Sequence, residues 1–235
     1  MVQHIGIVAC SAEGAALCYR TICAQGATIL GRHAHPEISM HTPSLAEYVA
    51  HLERDDWQGV GELMLASAEK LARIGADFLI CPDNTVHRAF SHVEPRSPLP
   101  FLHIAEVTAA EAARRGLRRV GVVGTSWLTE SEVYPEKLAA CGIGHMRPNA
   151  REGAEINRII MDELTYGVFK PEAVAEFQRV FARMKADGCD AAALACTEIP
   201  LIMNDENSPL PTLDTTRLLA HAALRRATEG VAIAA

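Results

Sequence analysis

Phe78-Leu79-Ile80-Cys81-Pro82-Asp83-Asn84-Thr85-Val86-His87 runs from an apolar stretch straight into a tight polar turn. A short apolar run bounded by turn residues is the pattern of a buried strand. Near the other end of the chain, Ala192-Ala193-Leu194-Ala195-Cys196-Thr197-Glu198-Ile199-Pro200 does the same. Each run is preceded by Gly-x-Asp, as Gly75-Ala76-Asp77 and Gly188-Cys189-Asp190. Laid on each other from those glycines, the two runs break at the same step. Asp83 falls on Cys196, Asn84 on Thr197 and Thr85 on Glu198. Two reactive side chains at equivalent points of a repeated unit point to two groups facing one ligand.

The repeat extends outward from this pair. His4 to Ala9 predicts a strand ending at Cys10-Ser11, and Arg119 to Gly124 repeats it, ending at Thr125-Ser126. A helix over Asp56 to Ile74 carries Val60, Leu63, Met64, Leu71 and Ile74 at helical spacing and stops at Gly75. Its counterpart, Pro171 to Ala186, carries Val174, Phe177, Val180, Phe181 and Met184 and stops at Gly188. Leu99-Pro100-Phe101-Leu102, followed by a helix to Arg114-Arg115, is echoed by Leu210-Pro211-Thr212-Leu213 and a helix to Arg225-Arg226. Elements recurring in one order amount to an internal duplication.

Strands alternating with helices predict an α/β fold with a parallel sheet in each half. Ligands of such sheets gather at the carboxyl ends of the strands, where every polar turn named above falls. A pseudo-twofold axis between the halves would bring Ser11, Asp83, Thr125 and Cys196 to one cleft. The closing helix belongs by pattern with the helix at 105–115. The first domain is therefore expected to be discontinuous, 1–104 plus 211–235, with 105–210 as the second. Smaller expectations are a strand over Ala27 to Arg32, irregular chain from His33 to Leu45, and helices over Ser131 to Ala140 and Glu152 to Tyr166.

Composition narrows the partners. The 235 residues are 49% hydrophobic and 22% charged, as in ordinary globular proteins. A net charge of −7 without a basic run argues against nucleic acid. Met1 to Ser11 has neither the basic n-region nor the apolar h-region of a signal peptide, and no membrane span is expected. The seven cysteines are an odd number without a Cys-x-x-Cys pair, which predicts free thiols in a reducing cytoplasm. Histidines 33, 35 and 41 lie in irregular sequence with no common face, so no metal site is expected.

Paired proton carriers on opposite faces of a carbon suit racemisation or epimerisation. A thiol with an ordinary pKa of about 8.5 can be tuned for that work. Asn84, Thr85, Thr197 and nearby backbone N–H groups could hold a carboxylate and the charge that develops on it. For Asp83 the simpler alternative is a turn residue that caps backbone N–H groups. Glu198 could orient the site or cap its own turn, and His87 could act chemically or only pack.

Cys-Pro-Asp-Asn-Thr-Val-His at 81–87 resembles the first motif, Pro-Cys-Asn-Thr-x-His, of the aspartate/glutamate racemase family. Ala-Cys-Thr-Glu-Ile-Pro-Leu at 195–201 resembles its second motif almost unchanged. Further similarity includes Ile5-Gly6-Ile7-Val8 with Ser11, Val120 to Thr125 followed by Thr129, Ser131 and Tyr134, Glu155 to Lys170, and Asp214 to Arg217. The resemblance implies two Rossmann-like domains with the substrate between them, usually a homodimer, and catalysis without pyridoxal phosphate or another cofactor. It implies that two cysteines are acid and base. By position these are Cys196 and, in place of the first cysteine, Asp83. It further assigns Asn84, Thr85 and Thr197 to the α-carboxylate and Ser11, Thr125, Lys170 and Glu198 to the substrate site.

Two departures stand out. Asp83 is a weaker base than a thiolate unless its surroundings raise its pKa, and Cys81 is the alternative thiol two residues earlier. Near Leu52, relatives that bind a side-chain carboxylate place a polar or basic residue. The expected activity is a racemase acting on aspartate, glutamate or a related carboxylate. The alternatives are a decarboxylase of a substituted malonate with Cys196 as proton donor, and a non-catalytic carboxylate-binding relative.

Overall fold

A computed structural model describes residues 1–230; residues 231–235, the end of the segment expected over 211–235, lie outside it. In chain order the elements are β1 (Ile5–Val8), α1 (Ala12–Leu30), β2 (Ile38–His41), α2 (Leu45–Leu52), α3 (Trp57–Arg73), β3 (Phe78–Ile80), α4 (Phe90–Val93), β4 (Phe101–Leu102) and α5 (Ile104–Arg114). There follow β5 (Arg119–Val123), α6 (Ser126–Thr129), α7 (Val133–Ala140), β6 (Gly144–Met146), α8 (Ala150–Asp162), α9 (Pro171–Ala186), β7 (Ala191–Leu194), β8 (Thr212–Asp214) and α10 (Thr215–Ala227). Short 3-10 turns at Thr85–Ala89 and Ile199–Leu201 follow β3 and β7.

The strands form two four-stranded sheets of identical order, β2-β1-β3-β4 and β6-β5-β7-β8. Every pairing is parallel, with Ile7 opposite Ile80 in the first sheet and Val123 opposite Leu194 in the second. Two compact units result, Met1–Ile104 with the described residues from Thr216 onward, and Ala105–Thr215. β8, grouped by its sequence pattern with the first unit, pairs with β7 in the second. The return crossing therefore falls at Thr216 instead of residue 211.

The repeated Gly-x-Asp has one physical explanation in both units. Gly75 and Gly188 each sit at φ 92, a left-handed conformation that favours glycine. Their N–H groups donate to Ala72 and Lys185, and the next residues' N–H groups to Leu71 and Met184, closing α3 and α9 with the same motif. The aspartates then tie each outgoing strand to its neighbour. Asp77 Oδ2 accepts from His4 N at 2.7 Å, and Asp190 Oδ2 accepts from Arg118 N at 2.7 Å and Arg119 N at 3.0 Å.

Each sheet is packed by its helices through apolar faces. Ile5, Ile7, Leu79 and Ile80 are buried in the first unit with Val60, Met64 and Leu71 of α3. In the second, Val123, Ala192 and Leu194 share a core with Ile156, Ile159 and Ile160 of α8 and Phe177, Val180, Phe181 and Met184 of α9. Burying such side chains removes roughly 1.5–3 kcal/mol of unfavourable exposure each.

Two local expectations need correction. Ala27 to Arg32 is not a strand; α1 runs through it to Leu30. Gly26 does not stop that helix because it is there for close packing: a Cβ would lie 2.8 Å from the His35 backbone. The segment expected to be irregular contains β2, while the helix expected over Ser131 to Ala140 is present as α7, preceded by the separate short helix α6. Among the described residues no helix is long and apolar enough to cross a membrane. All seven cysteines are free thiols.

Candidate active site

Parallel pairing delivers the exits of β1 and β3 to one edge of the first sheet. β1 leads to Cys10 and Ser11; Ser11 caps α1, its Oγ accepting from Gly14 N at 3.4 Å. β3 leads to Cys81, Asp83, Asn84 and Thr85, of which Asn84 and Thr85 are buried and Asp83 is half-buried. Asp83 Oδ1 accepts from Val86 N at 3.2 Å, so the aspartate does cap the 3-10 turn that follows. His87 fixes that turn from below. Its Nδ1 lies 2.6 Å from the Asp83 carbonyl oxygen, and its Nε2 accepts from Ile104 N at 3.4 Å. Because the Ile104 N–H donates to Nε2, the ring proton belongs on Nδ1. His87 also stacks on Phe90 with centroids 5.2 Å apart. These contacts tie the imidazole to the Asp83 turn.

Cys81 is poorly suited to serve as a substitute base. It is fully buried, and burial followed by the nearby Asp83 charge pushes its thiol well above the ordinary range. The Asp83 backbone N–H, bonded to the sulfur, opposes this only in part.

The second sheet presents its own cluster. Gly124 at the exit of β5 lets the backbones of β5 and β7 approach closely, since a Cβ there would lie 2.6 Å from Ala195 O. Thr125 follows and caps α6, its Oγ1 accepting from Leu128 N at 3.4 Å. β7 leads to Cys196, Thr197 and Glu198, which are 8%, 2% and 4% exposed. Cys196 Sγ donates to Glu198 Oε2 at 3.0 Å, and Thr197 Oγ1 donates to the same oxygen at 2.9 Å. Two donors converging on one buried carboxylate oxygen make strong, charge-assisted bonds. The Cys196 thiol and the Thr197 hydroxyl thus share one carboxylate oxygen of Glu198.

Ser11, Asp83, Asn84 and Thr85 thus gather at the carboxyl edge of the first sheet, and Thr125, Cys196, Thr197 and Glu198 at that of the second. Lys170 is placed differently. It precedes α9, and its Nζ lies 3.2 Å from Glu163 Oε1, a carboxylate also held by Arg158 at 2.8 Å. Two of the three histidines singled out earlier have partners of their own. His41 bonds Ser67 Oγ at 3.0 Å and Lys70 Nζ at 2.9 Å, and His35 bonds the Pro36 carbonyl. Among the described residues no group of three or more His, Cys, Asp or Glu side chains is placed to hold a metal ion.

Tyr48, on α2, was not evident as a site residue. It is fully buried, and its electrostatic neighbours include Cys81, Cys10 and Asp83. Tyr134, part of the sequence resemblance, is likewise buried and bonds Thr108 and Thr215 through its hydroxyl.

The model of the Asp/Glu/hydantoin racemase family matches residues 7–223, which include both clusters and all of both sheets but the first two residues of β1. The chain belongs to that family. Membership makes it an isomerase of the amino-acid racemase type. A solved chain from Yersinia pestis, assigned to the Asp/Glu racemases, is 28% identical with a TM-score of 0.88, covering 97% of this chain and 100% of that one. An aspartate racemase homologue from Pyrococcus horikoshii is 25% identical with a TM-score of 0.82 and the same coverage. The broad-specificity amino-acid racemase RacX of Bacillus subtilis is 23% identical over 168 residues, 70% of this chain and 71% of that one.

Proposed function

We propose that this racemase moves the Cα proton of an amino acid, or of a closely related carboxylate, using Asp83 and Cys196 as its two proton carriers. The observation that carries the reading is the Cys196–Glu198 bond at the position that the duplication makes equivalent to Asp83. A thiol held as a protonated donor at one repeat and a carboxylate at the other supply one acid and one base.

In one direction the Asp83 carboxylate takes the proton from Cα, and the electron pair left behind spreads into the α-carboxylate. Cys196 then delivers its proton to the opposite face, leaving a thiolate and a protonated Asp83. The reverse direction starts from that second form. Glu198 can take up the Cys196 proton, and the half-buried Asp83 can exchange its own with solvent, so both forms are reachable. Asn84, Thr85 and Thr197, with Ser11 and Thr125, would hold the α-carboxylate through donors already fixed by the strand exits. Such preorganised donors stabilise developing charge without reorganising during the reaction. Lys170 would join them only by leaving Glu163.

A second reading has support in the Val86–Asp83 bond, which commits one carboxylate oxygen to the turn. On that reading only Cys196 transfers a proton, as in decarboxylation of a substituted malonate. Paired variants test the choice. Cys196→Ala should abolish racemisation followed by circular dichroism, and Asp83→Asn should abolish it too. An Asp83→Asn enzyme that racemises at the wild-type rate would remove Asp83 from the mechanism.

A further inference from the structure

α2 starts just past the carboxyl end of β2, on the edge of the first sheet where Cys10, Cys81 and Asp83 emerge. Its buried residues are Tyr48 and Leu52. The Tyr48 hydroxyl makes no hydrogen bond, a condition shared among the buried side chains described only by Thr216. Tyr134 shows the ordinary outcome for a buried tyrosine in this protein, with its hydroxyl bonded to Thr108 and Thr215. A buried hydroxyl without a partner is destabilising and calls for an explanation. Burial, and then the charges of its neighbours, push the Tyr48 phenol far above its ordinary range, so it stays a neutral donor.

The charge around it limits what it can meet. Its charged or chargeable neighbours are Cys81, Cys10, Asp83 and Glu47, all acidic groups. The imidazole on α2 itself, that of His51, is engaged by Asp56 at 2.8 Å. A second carboxylate placed here would lie in a dry, apolar surround beside Asp83 with a phenol in place of a counter-ion, a costly arrangement. A hydroxyl or carboxamide can instead accept from the phenol without bringing charge.

We propose that Tyr48 is a substrate-contact residue that selects amino acids with an uncharged, hydrogen-bonding side chain, over aspartate and glutamate. This rests on the racemase reading and narrows it, departing from the aspartate or glutamate expected from the sequence. The test is racemisation by the wild type, Tyr48→Phe and Cys196→Ala of both enantiomers of serine, homoserine, asparagine, glutamine, aspartate, glutamate, leucine and methionine, with melting temperature measured for each protein. The wild type should prefer the hydroxyl and carboxamide substrates at least tenfold over aspartate and glutamate. Tyr48→Phe should lose roughly tenfold in kcat/KM on them, with leucine and methionine unaffected and the melting temperature unchanged or raised. Aspartate or glutamate as best substrate, or a Tyr48→Phe enzyme with the wild-type profile, overturns this inference while leaving the racemase reading intact. A wild type that turns over none of the panel overturns both.

Discussion

Replacing Glu198 by Gln keeps the shape of the side chain and removes its charge. The charge matters because two donors, Cys196 Sγ and Thr197 Oγ1, share Oε2 at 3.0 and 2.9 Å inside a site where Glu198 is 4% exposed. A hydrogen bond to a charged partner contributes about 1.5–3 kcal/mol, roughly twice a neutral one. If that energy holds the thiol where the reaction needs it, kcat/KM should fall by about ten- to a hundredfold. Removing the negative charge beside the sulfur also favours the thiolate. Alkylation of Cys196 by iodoacetamide, followed on its own peptide by mass spectrometry, should therefore accelerate several-fold as activity drops. Slower turnover with faster alkylation is the signature of a lost orienting acceptor. Wild-type turnover in Glu198→Gln, or a fall in activity with unchanged alkylation, would refute the role given to Glu198.

Other consequences are structural. Asp190→Ala leaves the Arg118 and Arg119 N–H groups without their shared acceptor, at a cost of about 1–2 kcal/mol, and the melting temperature should fall by roughly 2–8 °C. Tyr134→Phe removes the hydroxyl that bonds Thr108 and Thr215, with Thr215 keeping its bond to Leu194 O, and should destabilise by about 0.5–1.5 kcal/mol in urea unfolding, the opposite of Tyr48→Phe. Glu111 is held down to about 2 by its bonds to Arg114 first and then Arg115, against an opposing effect of burial. With its folded value below the ordinary 4.5, its stabilisation is complete above that pH and is lost as pH falls towards 2. Because Arg114 is largely exposed, Glu111→Gln should cost no more than about 1 kcal/mol at pH 7. The difference from wild type should vanish near pH 2.

Most of the architecture was legible because the chain states it twice. Gly75 and Gly188, Asp77 and Asp190, and the two apolar runs after them mark the same turn and the same strand, and a chance match at one is checked by the other. Edge strands had no such help. β2 and β6 are short and largely solvent-facing, so Ile38 to His41 and Gly144 to Met146 carry little of the apolar signal that buried β1 and β5 show. Ala27 to Leu30 misled because an apolar run of that length fits either a strand or the end of a helix. In the site, Cys196 and Glu198 were legible from their place at a strand exit. The capping bond from Val86 N to Asp83 was foreseeable from residue type alone. Tyr48 was not, since its significance lies in a hydroxyl left unpaired by three-dimensional packing. Lys170 was legible as a charged group, while its pairing with Glu163 depends on where α8 ends.

The central claim is that two unlike groups serve one Cα. Its most direct test is a single-turnover reaction of each enantiomer in D₂O, with the isotope at Cα of both recovered substrate and product read by NMR. Transfer between Asp83 and Cys196 predicts that the product of either direction carries deuterium at Cα from its first appearance, with little deuterium in recovered substrate. Deuterium entering one enantiomer with its configuration retained and no inverted product would contradict the account, leaving Cys196 as the sole proton carrier.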